Sequence, residues 1–72
     1  MLDASWQVER AFNFLRGAAS SRTVFEVRDG RESVRLRDAQ YWREGAPPRF
    51  ATRDGEWIEV RFRGGVIRAR SA

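Results

Sequence analysis

Seventy-two residues with no cysteine and no histidine leave room for one small domain. They exclude disulfide staples, thiolate nucleophiles, histidine general bases and the common structural zinc sites. All fourteen cationic side chains are arginine, so Schiff-base lysines and a phosphate-loop lysine are excluded as well. The net charge of +4 is unevenly spread. Residues 57–72 hold Arg61, Arg63, Arg68 and Arg70 against Glu59, a balance of +3, while residues 1–56 hold ten arginines against nine acids, a balance of +1. The arginine bias runs the length of the chain. It therefore reads first as a codon bias of the genome and second as selection for planar phosphate contacts.

A chain this short buries only about 60% of the surface its unfolded form exposes. With no disulfide or zinc, a partner or a second copy of the chain is the remaining staple. No apolar run approaches the roughly 20 residues of a membrane helix. Met1-Leu2-Asp3-Ala4-Ser5 lacks the basic-then-apolar pattern of a signal peptide, so cytoplasmic residence without a membrane partner is the expectation.

The first element is an amphipathic helix over residues 3–16. Asp3 or Ser5 is placed to cap it, and Val8, Ala11, Phe12 and Leu15 form one stripe, extended by Ala4. Trp6 and Phe14 widen the apolar face, either to cover a sheet or to anchor a partner. Gly17 is placed to end the helix with a positive dihedral. After the link Ala18-Ala19-Ser20-Ser21 the period changes to two.

Residues 23–42 read as a hairpin, with Thr23 to Arg28 and Ser33 to Arg37 around the turn signal Asp29-Gly30. A loop of two or four residues puts Phe25, Val27, Val34 and Leu36 on one face. Residues Asp38 to Trp42 extend the second strand, and 43–48 form a loop, since Pro47-Pro48 cannot sit in a central strand. Residues 49–71 read as a three-stranded meander. A three-residue turn Arg53-Asp54-Gly55 sets Phe50 opposite Ile58. Along Trp57 to Arg63, the residues Ile58, Val60 and Phe62 face one way and Trp57, Glu59, Arg61 and Arg63 the other. With Gly64-Gly65 as a two-residue turn, Phe62 faces Ile67, Val60 faces Ala69, Arg61 faces Arg68 and Glu59 faces Arg70. The expected class is α+β: an N-terminal helix packed on a four- to five-stranded antiparallel sheet. Closure into a small SH3- or Sm-like barrel and an open curved sheet are the two alternatives.

Catalysis lacks its usual parts. The serines have no triad partner, and Asp29 and Asp54 already have turn-forming work before glycine. The chain is expected to be a non-catalytic binding module with no cofactor and no metal. Its candidate surface is the outer face of the last hairpin: Arg61, Arg63, Arg68 and Arg70 with Trp57, joined by Arg35, which shares one outward-leaning stretch of the earlier hairpin with Arg37. Arginine beside an exposed aromatic suits phosphate and base contacts of RNA or DNA. Strand arginines also protect a sheet edge from aggregation. A second candidate is Tyr41-Trp42 with the following loop, an interface composition that suits a larger protein partner. Adjacent strand residues point oppositely, so one ring enters the core and the other is exposed, unless both close the end of a barrel.

The order of elements resembles the Sm-like proteins, a short helix followed by bent strands. Phe12 to Leu36 is similar to the opening of Hfq-type chains. Thr23 to Ala69 resembles the small Sm-like inhibitors of the Rho termination factor, with an apolar strand running into Asp29-Gly30 and Gly55-Glu56 opening an alternating strand. Those inhibitors are acidic and this chain is basic, and the later Hfq motif, with its lysine and histidine, has no counterpart. The resemblance thus implies RNA metabolism or regulation of a nucleic-acid machine, and it assigns no binding residue.

Overall fold

The computed structural model describes residues 2–18 and 23–72; the link Ala19-Ser20-Ser21 lies outside them. The elements are β1 (Leu2–Asp3), α1 (Val8–Ala18), β2 (Phe25–Asp29), β3 (Glu32–Glu44), β4 (Ala51–Asp54), β5 (Trp57–Phe62) and β6 (Gly65–Ser71). They form an α+β fold with one helix and a six-stranded sheet in the order β1-β2-β3-β6-β5-β4. The sheet is open, with β1 at one edge and β4 at the other, so the barrel alternative does not hold. Among the described residues no helix is long and apolar enough to cross a membrane.

The N-terminus departs from the expected long helix. Leu2 is completely buried and pairs with Val27 in a parallel ladder, so burial of one leucine draws the chain end into the sheet. Asp3 does not cap the helix. Its carboxylate accepts the Ser5 amide at 2.9 Å in an Asx turn. That backbone hydrogen bond, helped by the Ser5 hydroxyl, holds the Asp3 carboxyl below its usual 3.8. The chain then reaches the far end of β5, where Arg63 donates to the Trp6 carbonyl at 3.0 Å and Val8 donates to the Arg63 carbonyl at 2.9 Å. The cap is Gln7, whose side-chain oxygen accepts the Arg10 amide at 3.0 Å. Ser5 and Asp3 precede it and play no part in the cap. Gly17 lies within the helix rather than ending it, and it is not among the glycines with positive φ.

The helix packs against β3, β6 and β5. Val8, Ala11 and Leu15 are buried with Val27, Leu36, Ile58, Val60, Phe62, Ile67 and Ala69. Each large member contributes about 1.5–3 kcal/mol by leaving water. Phe12 is half-buried against this cluster, and Trp6 and Phe25 flank it.

The first hairpin has the two-residue loop Gly30-Arg31, with Gly30 at φ 61°, and pairs Phe25 with Leu36 and Val27 with Val34. β3 runs on through Arg43 and Glu44, residues expected in a loop. Its second half pairs with β6, the last strand of the chain. Two extra residues intervene between Arg37 and Tyr41 opposite Arg70 and Arg68. Asp38 sits there at φ 51°, a conformation that aspartate tolerates better than most side chains. At the bulge, Arg16 of the helix donates to the Ala39 carbonyl at 3.1 Å.

Both later turns are tighter or differently placed than expected. β4 and β5 join through Gly55-Glu56, with Asp54 opposite Trp57 and Ala51 opposite Val60. Phe50 therefore lies beside Arg61, whose amide it accepts at 2.7 Å, and not opposite Ile58. β5 and β6 join through Arg63-Gly64, with Phe62 opposite Gly65 and Val60 opposite Ile67. The shift is two residues, so the inward set is unchanged. Gly65 explains it: a Cβ there would lie 2.4 Å from the Arg43 carbonyl oxygen and 3.0 Å from a Val8 methyl.

Gly65→Ala is therefore expected to cost about 1–3 kcal/mol of stability through overpacking. Gly17→Ala, which meets nothing within 4 Å, should gain about 0.5–1 kcal/mol from helix propensity. Urea denaturation of the two variants measures both, and equal effects would show that the Gly65 contact is not a constraint.

Candidate functional site

Residues directly opposed across strands share a face, so the registers define the side of the sheet away from the helix. One row runs Arg37, Arg70, Trp57, Asp54 and the next Tyr41, Arg68, Glu59, Thr52. A third runs Arg43, Val66, Arg61. The first hairpin adds Arg35 opposite Glu26 and Ser33 opposite Arg28. This outer face carries seven strand arginines (28, 35, 37, 43, 61, 68, 70) against three strand carboxylates, Glu26, Asp54 and Glu59.

Six of the eight residues named from the sequence meet here: Arg35, Tyr41, Trp57, Arg61, Arg68 and Arg70. Arg63 is at the β5–β6 turn, beside the start of the helix. Trp42 is opposite Ile67 on the inner side and packs half-buried against the core, whereas Tyr41 is 44% exposed. One ring of the pair thus enters the core and the other stays in water. Arg37 lies on the face with Arg35, as its place in the same outward-leaning stretch implies. Arg28 and Arg43 are members of the face that sequence reasoning missed; Arg43 was not legible, because its placement depends on the bulge.

The arginines divide by what they hold. Arg61 is not opposite Arg68. It donates to Asp29 at 2.9 Å and to the carbonyls of Pro47 and Pro48 at 3.1 and 3.0 Å, tying β5 to the end of β2 and to the proline loop. Arg68 is opposite Glu59 and reaches it at 3.4 Å, while Arg43 reaches the same carboxylate at 2.7 Å. Arg70 pairs with Glu56 at 2.7 Å and, more loosely, with Asp38 at 3.8 Å. The guanidiniums of Arg68 and Arg70 lie 5.1 and 4.9 Å from the centre of the Trp57 ring, within cation–π range. Arg28 has only a 3.7 Å contact with Glu26. Arg35 and Arg37 have no side-chain partner among the described residues, and Arg37 is fixed beside Arg70 by register. Their charge is thus available to a ligand.

A cleft of about 320 Å³ opens on the same face, lined by Thr52, Asp54, Trp57, Glu59 and Arg68. On the helix side, Trp6, Phe14 and Phe25 make a row of edge-on rings, with centres 5.6 and 6.0 Å apart, and Phe14 is 43% exposed.

Since Arg61 is bound on three sides, Arg61→Ala is expected to destabilise the fold by about 1–2 kcal/mol, in place of the relief that removing a like-charged pair would bring. Thermal or urea unfolding checks the sign.

Comparison with protein-family models, with curated proteins and with solved structures yields no match for this chain.

Proposed function

We propose that the chain is a non-catalytic module that binds single-stranded RNA or DNA across the outer face of its sheet. The observation that carries this is the pair Arg35 and Arg37, which have no side-chain partner among the described residues, set beside exposed Tyr41 and the Trp57 rows. Two free guanidiniums on adjacent same-face positions match successive phosphates, and a half-exposed ring gives a base something to stack on. Arg68 and Arg70 extend the track. The Arg70–Glu56 pair lies largely in water and is worth only about 0–1 kcal/mol, and the part-buried Arg68–Glu59 contact is long at 3.4 Å, so phosphate can replace a carboxylate there.

Binding of a fluorescent single strand should weaken steeply with salt, because each neutralised phosphate releases counterions. Removing Arg35 and Arg37 together should reduce the log–log salt slope by about 1.4, or about 0.7 per phosphate contact, and leave the unfolding midpoint unchanged. Anisotropy titrations at several salt concentrations measure this. Affinity that ignores both substitutions would sink the assignment.

A second reading, a small regulator docking on a larger protein, is favoured by the Trp6–Phe14–Phe25 row on the opposite side. Under it Phe14→Ala weakens partner capture from an extract treated with nuclease, while the Arg35 and Arg37 variants leave capture unchanged.

A further inference from the structure

We infer that the cleft formed by Thr52, Asp54, Trp57, Glu59 and Arg68 is a pocket for a guanine base; this rests on the reading of the outer face as a nucleic-acid surface. At about 320 Å³ it lies at the small end of ligand pockets, which run about 300–1,000 Å³, the scale of one base. Its walls come from adjacent rows. Asp54 is directly opposite Trp57, and Thr52 is directly opposite Glu59.

Asp54 supplies the discrimination. Its carboxylate has no hydrogen-bond or ion-pair partner among the described residues, and an ionised carboxylate only accepts hydrogen bonds. Guanine alone among the bases presents two adjacent N–H donors, N1 and N2, on its pairing edge, and so it can load both oxygens of one carboxylate. Adenine and cytosine each set a lone-pair nitrogen beside their single amino group. Uracil and thymine set carbonyl oxygens on both sides of one N–H. Each of these points an acceptor at the carboxylate, and the mismatch leaves a polar group unpaired.

Arg68 supplies the second contact. It is the movable cation of the pocket, because both its partners keep another arginine when it leaves. Glu59 retains Arg43 at 2.7 Å, and Trp57 retains Arg70 at 4.9 Å. The Arg68–Glu59 contact is the longer of the two at 3.4 Å. A base entering beside the indole thus takes the place of Arg68 on the ring, and the freed guanidinium reaches guanine O6 and N7, the acceptors with which arginine pairs best. The pocket opens onto the face that holds Arg35 and Arg37, so the strand carrying the base continues over free cations.

The test uses the full chain and labelled thymine decamers with one central thymine, guanine, adenine, cytosine or hypoxanthine, followed by anisotropy. The guanine decamer should bind about ten-fold more tightly than the adenine and cytosine decamers. Hypoxanthine, which lacks the N2 amine, should lose most of that gain whatever happens to any protein variant. Asp54→Asn, with folding checked by circular dichroism, should remove the preference for guanine, while the all-thymine decamer binds at least as tightly as before because a negative charge is lost from the face. Displacement by GMP and not by AMP supports the pocket. The GMP concentration needed, set against the affinity of the guanine decamer, tells a free nucleotide from a strand as the ligand. Equal, salt-sensitive binding of all five decamers would overturn the guanine pocket and keep the phosphate track. A guanine preference untouched by Asp54→Asn would overturn the assignment to this cleft. No binding of any decamer at low salt would remove both ideas together.

Discussion

The close approach of β3, β6 and the helix at Gly65 is the constraint on which the outer face depends. The Arg43 carbonyl and the Val8 side chain occupy the space a Cβ would need. Only glycine fits, so β6 begins there and Phe62 pairs with Gly65. Every later pair on the hairpin follows from that start. Arg68 meets Glu59, Arg70 meets Trp57, and Arg61 meets Val66. A register two residues away would keep the same inward side chains and set Arg61 against Arg68, two like charges in direct opposition. The steric limit at one backbone atom thus converts a repulsive arrangement into a set of cross-strand ion pairs.

That conversion separates structural arginines from available ones. Arg61 ties three segments together, the end of β2, the proline loop and β5, through one charged fork. Geometry of this kind suits arginine and would be lost with lysine. Arg43 and Arg68 share Glu59, and Arg70 shares itself between Glu56 and Asp38. These contacts are partly in water and exchange readily for other anions. Arg35 and Arg37 stand outside the network. The C-terminal charge surplus, conspicuous in the sequence, is therefore largely neutralised on the outer face, where the cations without a side-chain partner among the described residues, Arg35 and Arg37, lie on the earlier hairpin.

The sequence discloses whatever depends on local alternation. The inward set Phe25, Val27, Val34, Leu36, Ile58, Val60 and Phe62 can be read directly, as can the turn at Asp29-Gly30, because period two and turn chemistry are properties of neighbouring residues; at Asp54-Gly55 the glycine marks a turn but not its length. Pairings between distant segments are hidden. Nothing local in β3 says that Tyr41 to Glu44 will lie against the last strand, or that Leu2 will join β2. The bulge at Asp38 rests on one aspartate accepting a left-handed dihedral, a property it shares with aspartates that do no such thing. The helix start was misplaced because Asp3 and Ser5 are equally good residues for an Asx turn, and the glutamine that caps the helix is a weak cap by propensity. The last register was misread by two because a pattern of period two is blind to even slips.

Arginine on a solvent-facing strand also has ordinary work to do. Val66 lies on the outer face and is nevertheless 2% exposed. Arg43 and Arg61 are directly opposite it on either side, and long side chains cover apolar surface with their stems while their heads remain in water. A small sheet with a helix on one side only needs such cover on the other. This accounts for Arg43 and Arg61 without any ligand. Arg35, Arg37 and Asp54, by contrast, have no side-chain partner among the described residues. Under the proposed reading, these two cations and one carboxylate of a single surface meet a partner that brings both phosphates and hydrogen-bond donors.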